Sequence, residues 1–128
     1  LAERAPRAWA WLEAHRARLD ARRSSIYRGR PPFSVFGLGP YTFAPWKVAI
    51  SGMHKEPVFA LVGPHGGRPV ALDDTCYLLP FDDEAAARDA WERLRSPQAA
   101  AFLRARVFPD DKRPIRAELL QQLDLRRL

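Results

Sequence analysis

Between Pro31 and Pro80, glycine and proline break the chain into pieces too short for anything but brief strands. These pieces are rich in aromatic and β-branched residues: Phe33 to Leu38, Trp46 to Ser51, Val58 to Val62, Pro69 to Leu72 and Thr75 to Leu79. In the second, Val48 and Ile50 alternate with Lys47, Ala49 and Ser51. One face is therefore expected in the core and the other free to meet solvent or a partner. Pro64-His65-Gly66-Gly67 is a turn signal that joins the third and fourth pieces as a hairpin.

On either side the pattern is helical. Pro6 suits a first helical turn, and Trp9, Leu12 and Leu19 recur at near-helical spacing, which predicts a helix from about Pro6 to Arg23. After Phe81, Asp82 or Asp83 can cap a helix through Leu94 with Ala87, Trp91 and Leu94 on one stripe. Ser96-Pro97 opens another towards Val107, and a last helix starts near Pro114 with Ile115, Leu119 and Leu123 at four-residue steps. The fold class is α+β: an N-terminal helix, a central sheet of about five short strands, then three C-terminal helices. At 128 residues, 47% of them apolar, the chain reads as one domain, 1–128, able to bury a core.

The single cysteine, Cys76, permits no internal disulfide and suits a reducing cytoplasm. No apolar run reaches the roughly 18 residues that a membrane span needs. The opening Leu1-Ala2-Glu3-Arg4 is neither an initiator methionine nor a signal peptide, and the expectation is a fragment of a longer polypeptide.

The net charge of +6 is uneven: residues 1–30 carry eight arginines against three acids, whereas residues 31–80 are balanced. An excess gathered in the first third is the footprint expected for phosphate. With arginine outnumbering lysine eighteen to three and alanine abundant, a coding bias accounts for it equally well.

The basic excess is densest from Arg22 to Arg30, where a helix ends and a loop begins. Arg22, Arg23, Arg28 and Arg30 can fork onto phosphate oxygens or onto guanine O6 and N7. Ser24, Ser25 and Tyr27 add short hydrogen-bonding groups of the kind that fix register on a nucleic-acid backbone. The competing reading makes Arg22 and Arg23 partners of the helix dipole, with Tyr27 packing on the sheet. A second candidate group is Lys47, Ser51, His54 and Lys55, on the exposed face of a strand and the loop after it. The alternative there is lysine placed on an edge strand to block aggregation. Lys112 and Arg113 form a third, with simple solvation as the alternative.

Bond-making chemistry finds little support. Phe36-Gly37-Leu38-Gly39 lacks the following helix that a phosphate-cradling loop requires, and reads as a turn between strands. Asp73, Asp110, Asp111 and Lys112 are the residue types of a metal-dependent nuclease, but their setting suits turns and helix caps. His15, His54 and His65 stand without partners at metal-ligand spacing, and Cys76 reads as a small buried hydrophobe. No catalytic, cofactor or metal residues are assigned.

Three stretches together resemble a known family: Arg23 to Tyr27, Phe33-Ser34-Val35-Phe36-Gly37-Leu38-Gly39-Pro40-Tyr41 on through Gly52, and Leu72-Asp73-Asp74-Thr75-Cys76-Tyr77. They look like the carboxyl-terminal target-recognition domain of bacterial adenine-N6 DNA methyltransferases of TaqI-like and Eco57I-like restriction–modification systems. The likeness covers most of the chain and includes Trp11-Leu12 and Leu94-Arg95-Ser96, the latter similar to a Leu-Asn-Ser step of such domains. In that family an upstream domain holds S-adenosylmethionine and an Asn-Pro-Pro-Tyr-type motif, absent from these residues. The resemblance thus implies a bacterial, cytoplasmic module that recognises double-stranded DNA for a methyltransferase domain elsewhere, with no cofactor of its own. A protein-interaction domain with a basic face is the alternative, and a small nuclease a further one.

Overall fold

A computed structural model describes residues 1–128, which sort into two compact units, Leu1–Gly37 and Leu38–Leu128. In the second unit, β1 (Trp46–Ser51), β2 (Phe59–Val62) and β3 (Cys76–Phe81) form an antiparallel sheet in the order β2-β1-β3. The register sets Val48 opposite Leu61 on one side and Leu79 on the other, and Ile50 opposite Phe59 and Tyr77.

The sheet has three strands, not about five. Pro69 to Leu72 stays irregular: Pro69 has no N–H to donate, and pairing beyond β2 stops at a single bridge between His65 and Arg68. The turn itself forms as expected, with Gly66 and Gly67 both at positive φ. Phe33 to Leu38 also forms no strand, because Phe33 (φ 63°) and Gly37 (φ 73°) both leave the extended region.

The helices of this unit are α3 (Glu84–Leu94), α4 (Pro97–Arg104) and α5 (Ala117–Leu120). The two longer ones start where local chemistry says they should. Asp83 Oδ1 accepts the Ala86 N–H at 2.9 Å, and Ser96 Oγ accepts that of Ala99 at 3.2 Å, with Pro97 in the first turn. From α3, Ala90 and Leu94 meet Val48, Ile50 and Phe59 of the sheet in a core that Leu103, Ile115 and Leu119 complete. Trp91 Nε1 donates to the Phe59 carbonyl at 3.0 Å and ties α3 to β2.

The helix expected from Pro114 begins later and is short. Ile115 is wholly buried and its N–H points to the Gly52 carbonyl, while Arg116 is extended (φ −125°, ψ 159°). An amide committed to another segment delays the first helical turn.

The first unit holds α1 (Pro6–Ala14) and α2 (Arg16–Asp20) in place of one continuous helix. His15 breaks it: its backbone turns to φ −109°, ψ 11°, and its Nδ1 lies 2.8 Å from the Trp11 carbonyl oxygen that also accepts the His15 N–H. No residue of Leu1–Gly37 is buried. Ring contacts take the place of a core: Trp9 meets Phe33 edge-on at 5.4 Å, and the Arg16 guanidinium lies 4.6 Å from the centre of the same ring. No helix is long and apolar enough to cross a membrane.

Candidate nucleic-acid interface

Where α2 ends, the chain folds back through a 3-10 turn (Ser25–Tyr27) to Pro31-Pro32 and encloses a concavity of about 240 Å³. Arg22, Arg23, Ser24, Tyr27, Arg28 and Arg30 all line it, together with Asp20 and Phe33. Ser25 sits beside the concavity and accepts the Arg28 N–H through its carbonyl.

The four arginines are held differently. Arg22 is half-buried; its Nε donates to the Leu19 carbonyl at 2.7 Å and its Nη1 to the Ser34 carbonyl at 2.9 Å. Its guanidinium lies 3.8 Å from the centre of the Tyr27 ring. The helix-end role weighed against DNA contact is therefore present at Arg22. Tyr27 meets Phe36 edge-on at 5.5 Å, and the Arg30 guanidinium stands 5.6 Å from the Phe36 ring centre. Arg23 and Arg28 are exposed.

None of these four arginines forms an ion pair, with Asp20 or with anything else. Elsewhere, Arg16, Arg88, Arg93, Arg104, Arg113, Arg116, Arg126 and Arg127 each meet a carboxylate within 4 Å, whereas Arg4, Arg7, Arg18, Arg68, Arg95 and Arg106 do not. Unpaired arginines occur elsewhere too; what sets these four apart is that they gather around one concavity. Positive charge left uncompensated around a concavity attracts an anion.

The second candidate group does not share an exposed face. Lys47 is 1% exposed, with Val48 at 2%, Ala49 at 6% and Ile50 at 3%, so both faces of β1 are covered. The alternation of side chains was legible, but β1 is the middle strand and not an edge. The Lys47 ammonium turns back to donate to the Ala44 carbonyl, and burial holds its pKa below the ordinary 10.5. Ser51 Oγ accepts the Met53 N–H, and His54 and Lys55 are exposed in the loop after β1.

In the third group Lys112 is exposed. Arg113 donates to the Asp74 carbonyl and to Asp74 Oδ2, each at 3.2 Å; the hydrogen bond to this carboxylate raises the arginine pKa. Asp73 accepts from the Thr75 hydroxyl and N–H, which holds its carboxyl below the usual range, and Asp111 pairs with Arg116. These carboxylates close turns, and no group of His, Cys, Asp or Glu is placed to hold a metal ion. The convergence required of a nuclease site is missing. Cys76 opens β3 half-buried, not fully so.

Phe36 escaped notice as a site residue. It stands six positions from Arg30, a separation at which neither a helix nor a strand brings two side chains into contact, so it gives no local signal.

Fold and site together define a small mixed helix-and-strand body and, ahead of it, a coreless segment that carries a basic concavity. Over 121 residues, 94% of the chain, the sequence is 46% identical to the Type II methyltransferase M.NspV of Nostoc sp.. The chain spans about a quarter of the length of that protein and is homologous to a segment of it. No family model matches, and no solved structure matches.

Proposed function

We propose that this chain is the target-recognition part of an adenine-N6 DNA methyltransferase of a bacterial restriction–modification system. It grips double-stranded DNA through the concavity of residues 20–33. Methyl transfer belongs to a separate upstream domain of the same cytoplasmic protein. The observation that carries the reading is the set of arginines without ion pairs around one concavity, in a chain similar to a quarter of a Type II methyltransferase. Lys55, Lys112 and His54, exposed on the second unit, are further candidates for backbone contact.

S-adenosylmethionine, the cofactor expected of the parent enzyme, suits neither the arginine-lined concavity nor the apolar one beside the sheet. Its sulfonium and ammonium charges are repelled by the arginine-lined one. An apolar cavity of about 340 Å³ between the sheet and Leu120, Leu123 and Leu125 presents no carboxylate to the cofactor's ribose or amino group. In this reading the cofactor is bound by the upstream methyltransferase domain.

The test is duplex binding by the 128-residue chain, measured by fluorescence anisotropy across a salt series. Each neutralised phosphate contributes about −0.9 to the slope of log affinity against log salt, so contacts by Arg23 and Arg28 require a clearly negative slope. Arg23→Gln and Arg28→Gln should each make it shallower by about 0.9. Binding that stays flat with salt would overturn the reading. A second reading, contact with a protein surface, draws on Leu38 and Phe43, which are 55% and 64% exposed.

A further inference from the structure

We infer that Arg30 reads a base edge, that Arg23 and Arg28 hold the phosphate backbone, and that Arg22 is a positioning residue. This assignment rests on the duplex-binding reading above and separates four side chains that the sequence alone treats alike.

A guanidinium that discriminates bases must meet two conditions. Its donor fork must be free, and its direction must be fixed before the DNA arrives, because guanine N7 and O6 accept from one narrow direction. A phosphate contact is less demanding, since oxygens recur along each strand and a mobile side chain finds one. Arg22 fails the first condition: two of its nitrogens are committed to the carbonyls of Leu19 and Ser34. Arg23 and Arg28 fail the second, being exposed with nothing to orient their guanidinium groups.

Arg30 meets both. Its guanidinium engages no carboxylate and no carbonyl, and it rests against the Phe36 ring, a contact that directs the group without using a donor. The support is continuous. Arg22, pinned by its two carbonyl bonds, stacks on Tyr27; Tyr27 abuts Phe36; Phe36 carries Arg30. The backbone at Arg30 is also restrained. Gly29 takes the left-handed conformation before it (φ 68°), Pro31-Pro32 restricts it from the other side, and its own N–H is bonded to the Tyr27 carbonyl at 3.3 Å. The fork is thus free while everything beneath it is braced.

The experiment selects bound duplexes from a randomised pool with the 128-residue chain and compares wild type with Arg30→Lys, Arg23→Lys and Phe36→Leu. Arg30→Lys keeps the charge and loses the fork. Its preference for guanine should fall by about 5- to 100-fold at one base pair, with the salt slope unchanged. Phe36→Leu should weaken the preference at that same base pair, whereas Arg23→Lys should leave the profile intact. Arg30 is exposed, so its replacement leaves folding undisturbed, and circular dichroism of each variant verifies this. The inference falls if Arg30→Lys retains the profile, if Arg23→Lys flattens it equally, or if wild type binds all duplexes without preference. In those three cases duplex binding itself stands. A wild-type chain that binds no duplex overturns the underlying reading instead.

Discussion

Replacing Arg22 tests whether the concavity of the first unit is built by that side chain. Arg22→Gln removes two charge-assisted hydrogen bonds, at 2.7 and 2.9 Å, and a stacking contact at 3.8 Å. Net of exchange with water, hydrogen bonds from a charged group contribute about 1.5–3 kcal/mol each where well shielded, and an exposed cation–π contact about 0.5–1 kcal/mol. Arg22 is half-buried, so water replaces much of this when the bonds open, and about 2–3 kcal/mol of local stability is the expected loss. At 1.4 kcal/mol per decade, the loop should open about 30 to 150 times more often. Hydrogen exchange read by mass spectrometry reports it directly. The amides of Tyr27, Arg28, Arg30 and Ser34 are all bonded within the loop and should exchange faster, while those of β1 keep their rates. Arg22→Lys keeps the charge but cannot bridge both carbonyls, so it should lose most of the same protection. Unchanged exchange in Arg22→Gln, or full protection in Arg22→Lys, would refute the geometric account.

Two further outcomes concern the second unit. Burial lowers the Lys47 pKa below 10.5, so between the folded value and 10.5 the unfolded chain binds more protons and stability rises with pH. Below that window the cost of burying the charge is fully present, and above it the cost is gone. Lys47→Met should lack the rise, and urea midpoints of the two proteins that stay parallel from neutral pH to 10.5 would count against it. At Gly52, an added Cβ would stand 2.9 Å from the Tyr77 ring and 3.1 and 3.2 Å from the carbonyl oxygens of Ile115 and Thr75. Gly52→Ala should therefore lower stability by about 1–3 kcal/mol, and an unchanged urea midpoint would show that the site yields.

Features set by neighbours in sequence were legible in it. β1 runs from Trp46 to Ser51 as expected, α3 starts at Asp83 and α4 at Ser96-Pro97, because alternation and capping are local. Features set by distant partners were not. The alternation in β1 gives two faces, but the cover over Lys47 depends on β1 lying between β2 and β3, whose sequences come later. The last helix is shorter than its four-residue spacing predicts because the acceptor that holds Ile115, the Gly52 carbonyl, lies 63 positions earlier. At the candidate site, charge density points to the segment from Arg22 to Arg30, and the structure gathers its arginines around one concavity. Charge density could not separate Arg22 from the others, since the acceptors that hold it are main-chain carbonyls, which every residue possesses.

Residues 1–37 contain no buried side chain, and this bears on how such a surface can change. In a packed core each replacement must fit a space already shaped by its neighbours, so few are tolerated. In this segment most replacements displace only water, and the bracing set of Arg22, Tyr27 and Phe36 is small. Arg23, Arg28 and Arg30 can therefore be exchanged for other residues at little cost to folding, with the second unit keeping a core of its own. A protein organised this way can acquire a new binding preference in single steps, without first acquiring a new scaffold.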